Sequence, residues 1–216
     1  GGARGLAHIG VIRWLEENNY RIESISGCSM GALVGGIYAL GRLDEFTQWV
    51  SAIGTVDMFR LLDITLSSAG LVKGDRIIET LRTLTGEKLI EELPIAYTAV
   101  ASDIVNEKEV WISRGPLFDA IRASIAIPLF FAPAQYNGLQ LVDGAVLNPV
   151  PIAPTFRDHT DMTIAVNLNG KADPAWPKPR PKNETEESES FFTRKINQFI
   201  DSVRPSPRNG ELDGMY

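Results

Sequence analysis

One cysteine and two histidines are all this chain of 216 residues contains of the side chains that most often carry covalent or acid–base chemistry. With Cys28 alone, no internal disulfide can form, which agrees with a reducing compartment. With His8 and His159 alone, any imidazole base must be one of two residues. No apolar run approaches the ~20 residues needed to span a bilayer. Basic residues are not in excess: 21 Lys and Arg stand against 27 Asp and Glu, a net charge of −6. That excludes the electrostatic footprint of a nucleic-acid binder. A glycine-rich opening is present, but the Lys-Ser/Thr of a phosphate-binding loop does not follow it, and no dinucleotide fingerprint is complete.

What is present is enough for one α/β domain with a sizeable core, since 44% of the residues are hydrophobic. The most informative stretch is Gly27-Cys28-Ser29-Met30-Gly31, a G-x-S-x-G pentapeptide. An extended, alternating run over 20–26 precedes it, and a helical run over 32–40 ending at Gly41 follows it. A serine between a strand and a helix, flanked by small residues, sits on a sharp turn with its hydroxyl presented. The helix that follows aims its N-terminal amides and positive dipole end at that serine, which favours an oxyanion there. Small residues also mark ordinary helix starts, so a simple capping serine is the competing reading.

Along the rest of the chain, residues 5–19 read as an amphipathic helix with Leu6, Ile9, Ile12 and Leu15 on one stripe. Residues 42–70 are helical but apolar on more than one face. They read as core helices or as an apolar cap over a site. Helices are predicted over 75–84 and 116–124, the latter with Pro116 in its first turn. Strands are predicted over 95–101, 109–113, 139–142 and 162–168, the first and last of these buried. Residues 1–169 form the folded domain in this reading. The prolines and glutamates of 170–190 mark a linker, and 191–216 hold a C-terminal helix and tail that pack on the domain.

An activated serine needs a base and an oxyanion hole. Ser29, Asp143 and His159 follow the Ser, Asp, His order of an α/β-hydrolase triad. His159, however, lies in the charged stretch Arg157-Asp158-His159-Thr160-Asp161, the setting of a surface histidine. His8 falls within the first helix and reads as a locally packed side chain. Asp143 ends an apolar strand beside Gly144-Ala145, where a desolvated carboxylate is basic enough to take a serine proton. Read alone, Asp143-Gly144 is also an ordinary turn pair.

Gly1-Gly2-Ala3-Arg4-Gly5, Gly27-Cys28-Ser29-Met30-Gly31 and Asp143-Gly144-Ala145 together resemble the patatin-like phospholipase family, with its glycine loop, nucleophile elbow and D-G-A/G element. The matches extend over 4–11 and 121–128, and the resemblance covers residues 1 to about 169. It implies an α/β fold with a central mixed β-sheet and helices on both faces. It implies a Ser29–Asp143 dyad, the elbow residues Gly27, Cys28, Met30 and Gly31, the acidic-motif residues Gly144 and Ala145, and an oxyanion hole from Gly1, Gly2, Ala3 and Arg4. The implied substrate is a phospholipid or other fatty-acyl ester, with neither metal nor cofactor required. A cytoplasmic location with peripheral membrane contact is expected, and nucleic acid is not an expected partner. The chain opens inside the glycine motif, so a segment upstream is expected as well.

Overall fold

The computed structural model describes residues 2–62 and 75–170. Gly1, residues 63–70 of the predicted cap, nearly all of the predicted linker and the predicted C-terminal helix lie outside the described residues.

The chain starts with a short 3-10 turn, Gly2–Leu6, which runs into α1, Ala7–Glu17. Of the predicted stripe, Ile9, Ile12 and Leu15 form the buried inner face of α1, while Leu6 ends the 3-10 turn and is half-buried. Strand β1 is shorter than the pattern predicts, Ser24–Gly27, and α2 follows at Met30–Ala39. Next come α3, Leu43–Leu62, and α4, Asp75–Thr85. In the predicted cap, Leu43 and Phe46 belong to the core, while Trp49 and Val50 are half-buried. Strands β2, Ala96–Asp103, and β3, Lys108–Ile112, form an antiparallel hairpin. Helix α5, Leu117–Ser124, begins after Pro116, whose fixed φ suits the entry to a helix. Strands β4, Ala134–Tyr136, and β5, Leu139–Asp143, form a second hairpin. The sequence pattern did not mark β4, because three residues are too few for an alternation to show.

These strands make one mixed sheet with helices packed against it, the fold class that the sequence predicts. Strand β2 is its centre. Ala101, Ser102 and Asp103 pair with β3 and with β5, so those two strands occupy opposite edges of β2. Ala99 pairs with both β3 and β1, so β1 shares the β5 edge. Strand β1 runs parallel to β2 and ends with Gly27 opposite Ala99. Strand β5 runs antiparallel and ends with Asp143 opposite Ala101. The C-terminal ends of β1 and β5 therefore approach each other along one edge, separated by the single residue Val100.

The predicted buried strand at 162–168 does not form. Its backbone pairs with no strand among the described residues, and Met162 and Ile164 are about half exposed. An apolar run signals burial only where a neighbouring strand can take up its backbone groups. Here the segment instead lines one wall of a groove of about 750 Å³, whose other wall includes residues of β1.

Helix α2 reaches β1 and β2 through glycine. A Cβ added to Gly35 would lie 2.6 Å from Ile25 Cγ2, on a side chain whose χ1 is stiff. One added to exposed Gly10, in the middle of α1, would meet nothing within 4 Å. Gly10→Ala is therefore expected to raise unfolding stability by up to about 1 kcal/mol, the helix-propensity gain. Gly35→Ala, with the same propensity gain, is expected to lower it by about 1–3 kcal/mol through overpacking. Urea midpoints of the two variants check the pair; stabilisation by both would refute the close α2–sheet packing.

Candidate active site

Ser29 occupies the turn between β1 and α2 with φ 55° and ψ −129°, a backbone region that costs a non-glycine residue of the order of 1–3 kcal/mol. Surrounding contacts impose it. The Ser29 amide donates to Ser124 O at 3.2 Å and to Ser124 Oγ at 3.1 Å. Its carbonyl accepts from the Leu33 amide at 3.1 Å, and the Gly31 amide donates to Cys28 O at 2.9 Å. Gly27 must be glycine, because a Cβ there would sit 2.4 Å from the Gly31 carbonyl carbon.

The acidic motif arrives from the other side. Strand β5 delivers Asp143, and the chain turns into a short 3-10 turn, Gly144–Val146. The Ala145 amide donates to Asp143 Oδ1 at 2.8 Å, and the Asp143 amide donates to Ala126 O at 2.9 Å. A Cβ on Gly144 would fall 2.0 Å from Val100 O and 2.9 Å from Cys28 Cβ. Only glycine lets the two motifs close on each other over Val100.

The result is that the Ser29 side chain lies beside the Asp143 carboxyl, close enough to act on its pKa. Both residues are nearly enclosed, at 5% and 3% exposure. Burial pushes the Asp143 carboxyl up to about 6, against the opposing pull of the Ser29 and Ala145 hydrogen bonds. A carboxylate there is more basic than one in water and still ionised at neutral pH.

The neighbouring thiol is unreactive. Burial first, then the Asp143 charge, pushes the Cys28 thiol up to about 12, so at neutral pH it is a protonated, weak nucleophile. It sits 3.5 Å from Pro149 O.

The glycine loop flanks the elbow. The 3-10 turn Gly2–Leu6 packs on α2, and a Cβ on Gly5 would lie 2.2 Å from Met30 Cβ. Gly2 takes φ 62°, the left-handed region that favours glycine. Arg4 is exposed, and Gly1 lies outside the described residues.

The two histidines lie on the groove side of β1, which Gly27, Cys28 and Gly31 of the elbow also line. His159 is exposed and lines the groove beside β1, as does His8; neither Ser29 nor Asp143 lines that groove. Burial lowers the pKa of His8, and a Cβ built on Gly31 would come 3.7 Å from its Nε2. His8 thus packs beside Gly31 of the elbow.

The role of residues 124–126 was not read from the sequence. Ser124 is fully buried, on a helix whose other buried residues are Leu117, Phe118, Ala120, Ile121 and Ala123. A lone hydroxyl on an otherwise apolar helix face was the available signal, since such a group must find a partner inside. Among the described residues no cluster of His, Cys, Asp and Glu could hold a metal ion, and no helix is long and apolar enough to cross a membrane.

Comparison with known proteins agrees with the three-motif resemblance. An uncharacterized NTE family protein of Mycobacterium tuberculosis is 52% identical over 176 residues, 81% of this chain and 49% of that protein. A protein of Meyerozyma guilliermondii named lysophospholipase NTE1 is 29% identical over 181 residues, 80% of this chain and 12% of that protein. The chain thus spans about half the length of the mycobacterial relative and a smaller share of the yeast one. VipD from Legionella pneumophila overlays on 68% of this chain and 45% of its own, with a TM-score of 0.45 and 17% identity. The sequence model of the patatin-like phospholipase family matches residues 1–156, which contain the glycine loop, the serine elbow and the acidic motif. This chain belongs to the patatin-like phospholipase family.

Proposed function

We propose that the chain is a serine hydrolase of lipid fatty-acyl esters, of phospholipase or lysophospholipase type, working through a Ser29–Asp143 dyad. The observation that carries this reading is the Ser29 side chain against a buried carboxyl whose pKa is raised to about 6. The family, and the name of the yeast relative, support a lipid ester as substrate.

In this mechanism the Asp143 carboxylate takes the Ser29 proton as Oγ attacks the ester carbonyl. Glycine-loop amides, those of Gly2 and Ala3 among them, and the N-terminal end of α2 face the oxyanion that develops. Arg4 lends positive charge beside them. The tetrahedral intermediate collapses, and the departing alkoxide takes the proton from Asp143. Water then gives a proton to Asp143 and attacks the acyl-serine, releasing the fatty acid and restoring both groups. The strain at Ser29 serves this chemistry, because it holds the hydroxyl at the tip of the turn, beside its base.

Ser29→Ala is expected to lower ester turnover by several orders of magnitude, and a fluorophosphonate probe is expected to label Ser29. Peptide mapping of an adduct on another serine, with Ser29 unmodified, would overturn the nucleophile. His159→Ala is expected to leave kcat within about threefold, as no transition-state contact is lost. A thousandfold loss with the fold intact would restore a triad.

The pH dependence follows from Asp143. The base must be ionised, so kcat/KM is expected to rise with pH through a midpoint near 6. Stability runs the other way. The folded carboxyl holds its proton up to about pH 6, whereas an unfolded one releases it near ~3.9. The native state therefore binds more protons between these values, and unfolding free energy falls by up to roughly 3 kcal/mol as pH rises through them. Asp143→Asn removes the charge but keeps the shape. Its expected signature is turnover at least about a hundredfold slower, with a melting temperature above that of the parent at pH 8 and no such gain at pH 4. Full activity in this variant would reduce Asp143 to a turn residue.

A further inference from the structure

We propose that Ser124 is a positioning residue for the Ser29 nucleophile, and that the end of α5 acts as a clamp holding Ser29 and Asp143 in register. The proposal rests on the dyad reading above.

The C-terminus of a helix leaves its last carbonyls without intrahelical donors. At the end of α5 two carbonyls of this terminal segment are taken up by the amides of the proposed catalytic pair. Ser124 O accepts from the Ser29 amide at 3.2 Å, and Ala126 O accepts from the Asp143 amide at 2.9 Å. Two peptide planes apart, these acceptors fix the spacing of residues that come from different strands.

The Ser124 hydroxyl adds a second link. Its oxygen accepts from the Ser29 amide at 3.1 Å, while its proton goes to Val100 O at 2.6 Å. Val100 is the residue that separates the ends of β1 and β5, and its carbonyl is the one that Gly144 closes upon. One fully buried hydroxyl thus ties the strained elbow to the centre of the sheet, at the point where the acidic motif packs. Neither Ser124 nor Ala126 need touch substrate. Their part is to keep the Ser29 backbone at φ 55°, so that its side chain stays beside Asp143. A misplacement of the order of 1 Å at a reacting group costs about a hundredfold in rate.

The test compares Ser124→Ala with Thr85→Val. Thr85 is likewise a buried hydroxyl bonded to a carbonyl, that of Leu81 at 2.8 Å, but at the end of α4. Each purified variant is assayed well below its melting temperature on the same fatty-acyl ester. Ser124→Ala is expected to lower kcat about 10- to 100-fold, with KM within about twofold and the pH midpoint near 6 unchanged, because positioning is lost and not charge. Thr85→Val is expected to match its loss of melting temperature without losing kcat. Ser124→Cys, with a weaker donor of similar size, is expected to lower kcat by at least about threefold but by less than Ser124→Ala, and it carries the test if the alanine variant does not fold. A kcat within about twofold of the parent for Ser124→Ala or for Ser124→Cys overturns the proposal, as does an equal kcat loss in Thr85→Val. Ser29→Ala, assayed alongside, separates the two ideas. Retained activity there ends the dyad reading itself, whereas an inactive Ser29→Ala beside a fully active Ser124→Ala ends only the clamp.

Discussion

Two strands meeting nose to nose along one edge of β2 set the terms for everything else in this domain. Strand β1 stops at Gly27 opposite Ala99, and β5 stops at Asp143 opposite Ala101. Only Val100 lies between. Because one strand is parallel to β2 and the other antiparallel, both present their C-terminal ends to that gap. A serine two residues past the end of one strand and a carboxylate at the end of the other are then neighbours without any long loop to carry them. The glycines follow from the same constraint. Side chains on Gly27 or Gly144 would strike backbone within 2.4 Å, so the motifs read as small residues because the strand ends are crowded.

Such closeness has an energetic cost that the rest of the domain offsets. An enclosed carboxyl with a raised pKa is an unfavourable place for charge, and a serine at positive φ is an unfavourable backbone. Both persist because a packed interior surrounds them. Phe118, Leu117 and Ile121 of α5 and Ala32, Val34 and Ile37 of α2 are all buried to within 2% exposure. The Tyr97 hydroxyl, also buried, fastens β2 to α2 through Ala32 O at 2.8 Å. At Asp143 in particular, the burial that destabilises the charged form also raises its basicity.

The sequence showed the fold class and the main helices because the relevant signals are local. The apolar stripe Ile9, Ile12 and Leu15 marks α1, and the continuous run 95–101 marks the central strand β2. The elbow was legible for the same reason, since strand, small-residue turn and helix are contiguous. Pairing is not local, and the misreadings lie there. Residues 162–168 have the composition of a buried strand but no strand alongside them among the described residues. Strand β1 is shorter than its alternation suggests, because only Ser24–Gly27 find partners on β2. Asp143 reads as a turn residue or a base on sequence grounds, and the burial that raises its pKa is not a local signal. Ser124 was invisible as a site element, since its partners, Ser29 and Val100, are remote in the chain.

The register at Val100 also bears on how the domain is made. Its defining contacts join residues near the start of the chain to residues far along it, through a parallel pairing and an antiparallel one that share a single strand. Such pairings carry the largest loop-closure entropy and form slowly compared with local helices. An early collapsed chain can hold α1, α2 and the β2–β3 hairpin and still lack the geometry at Ser29, which needs α5 and β5 docked. The arrangement at Ser29 is thus a property of the completed topology, and its appearance during refolding times the arrival of the last long-range element.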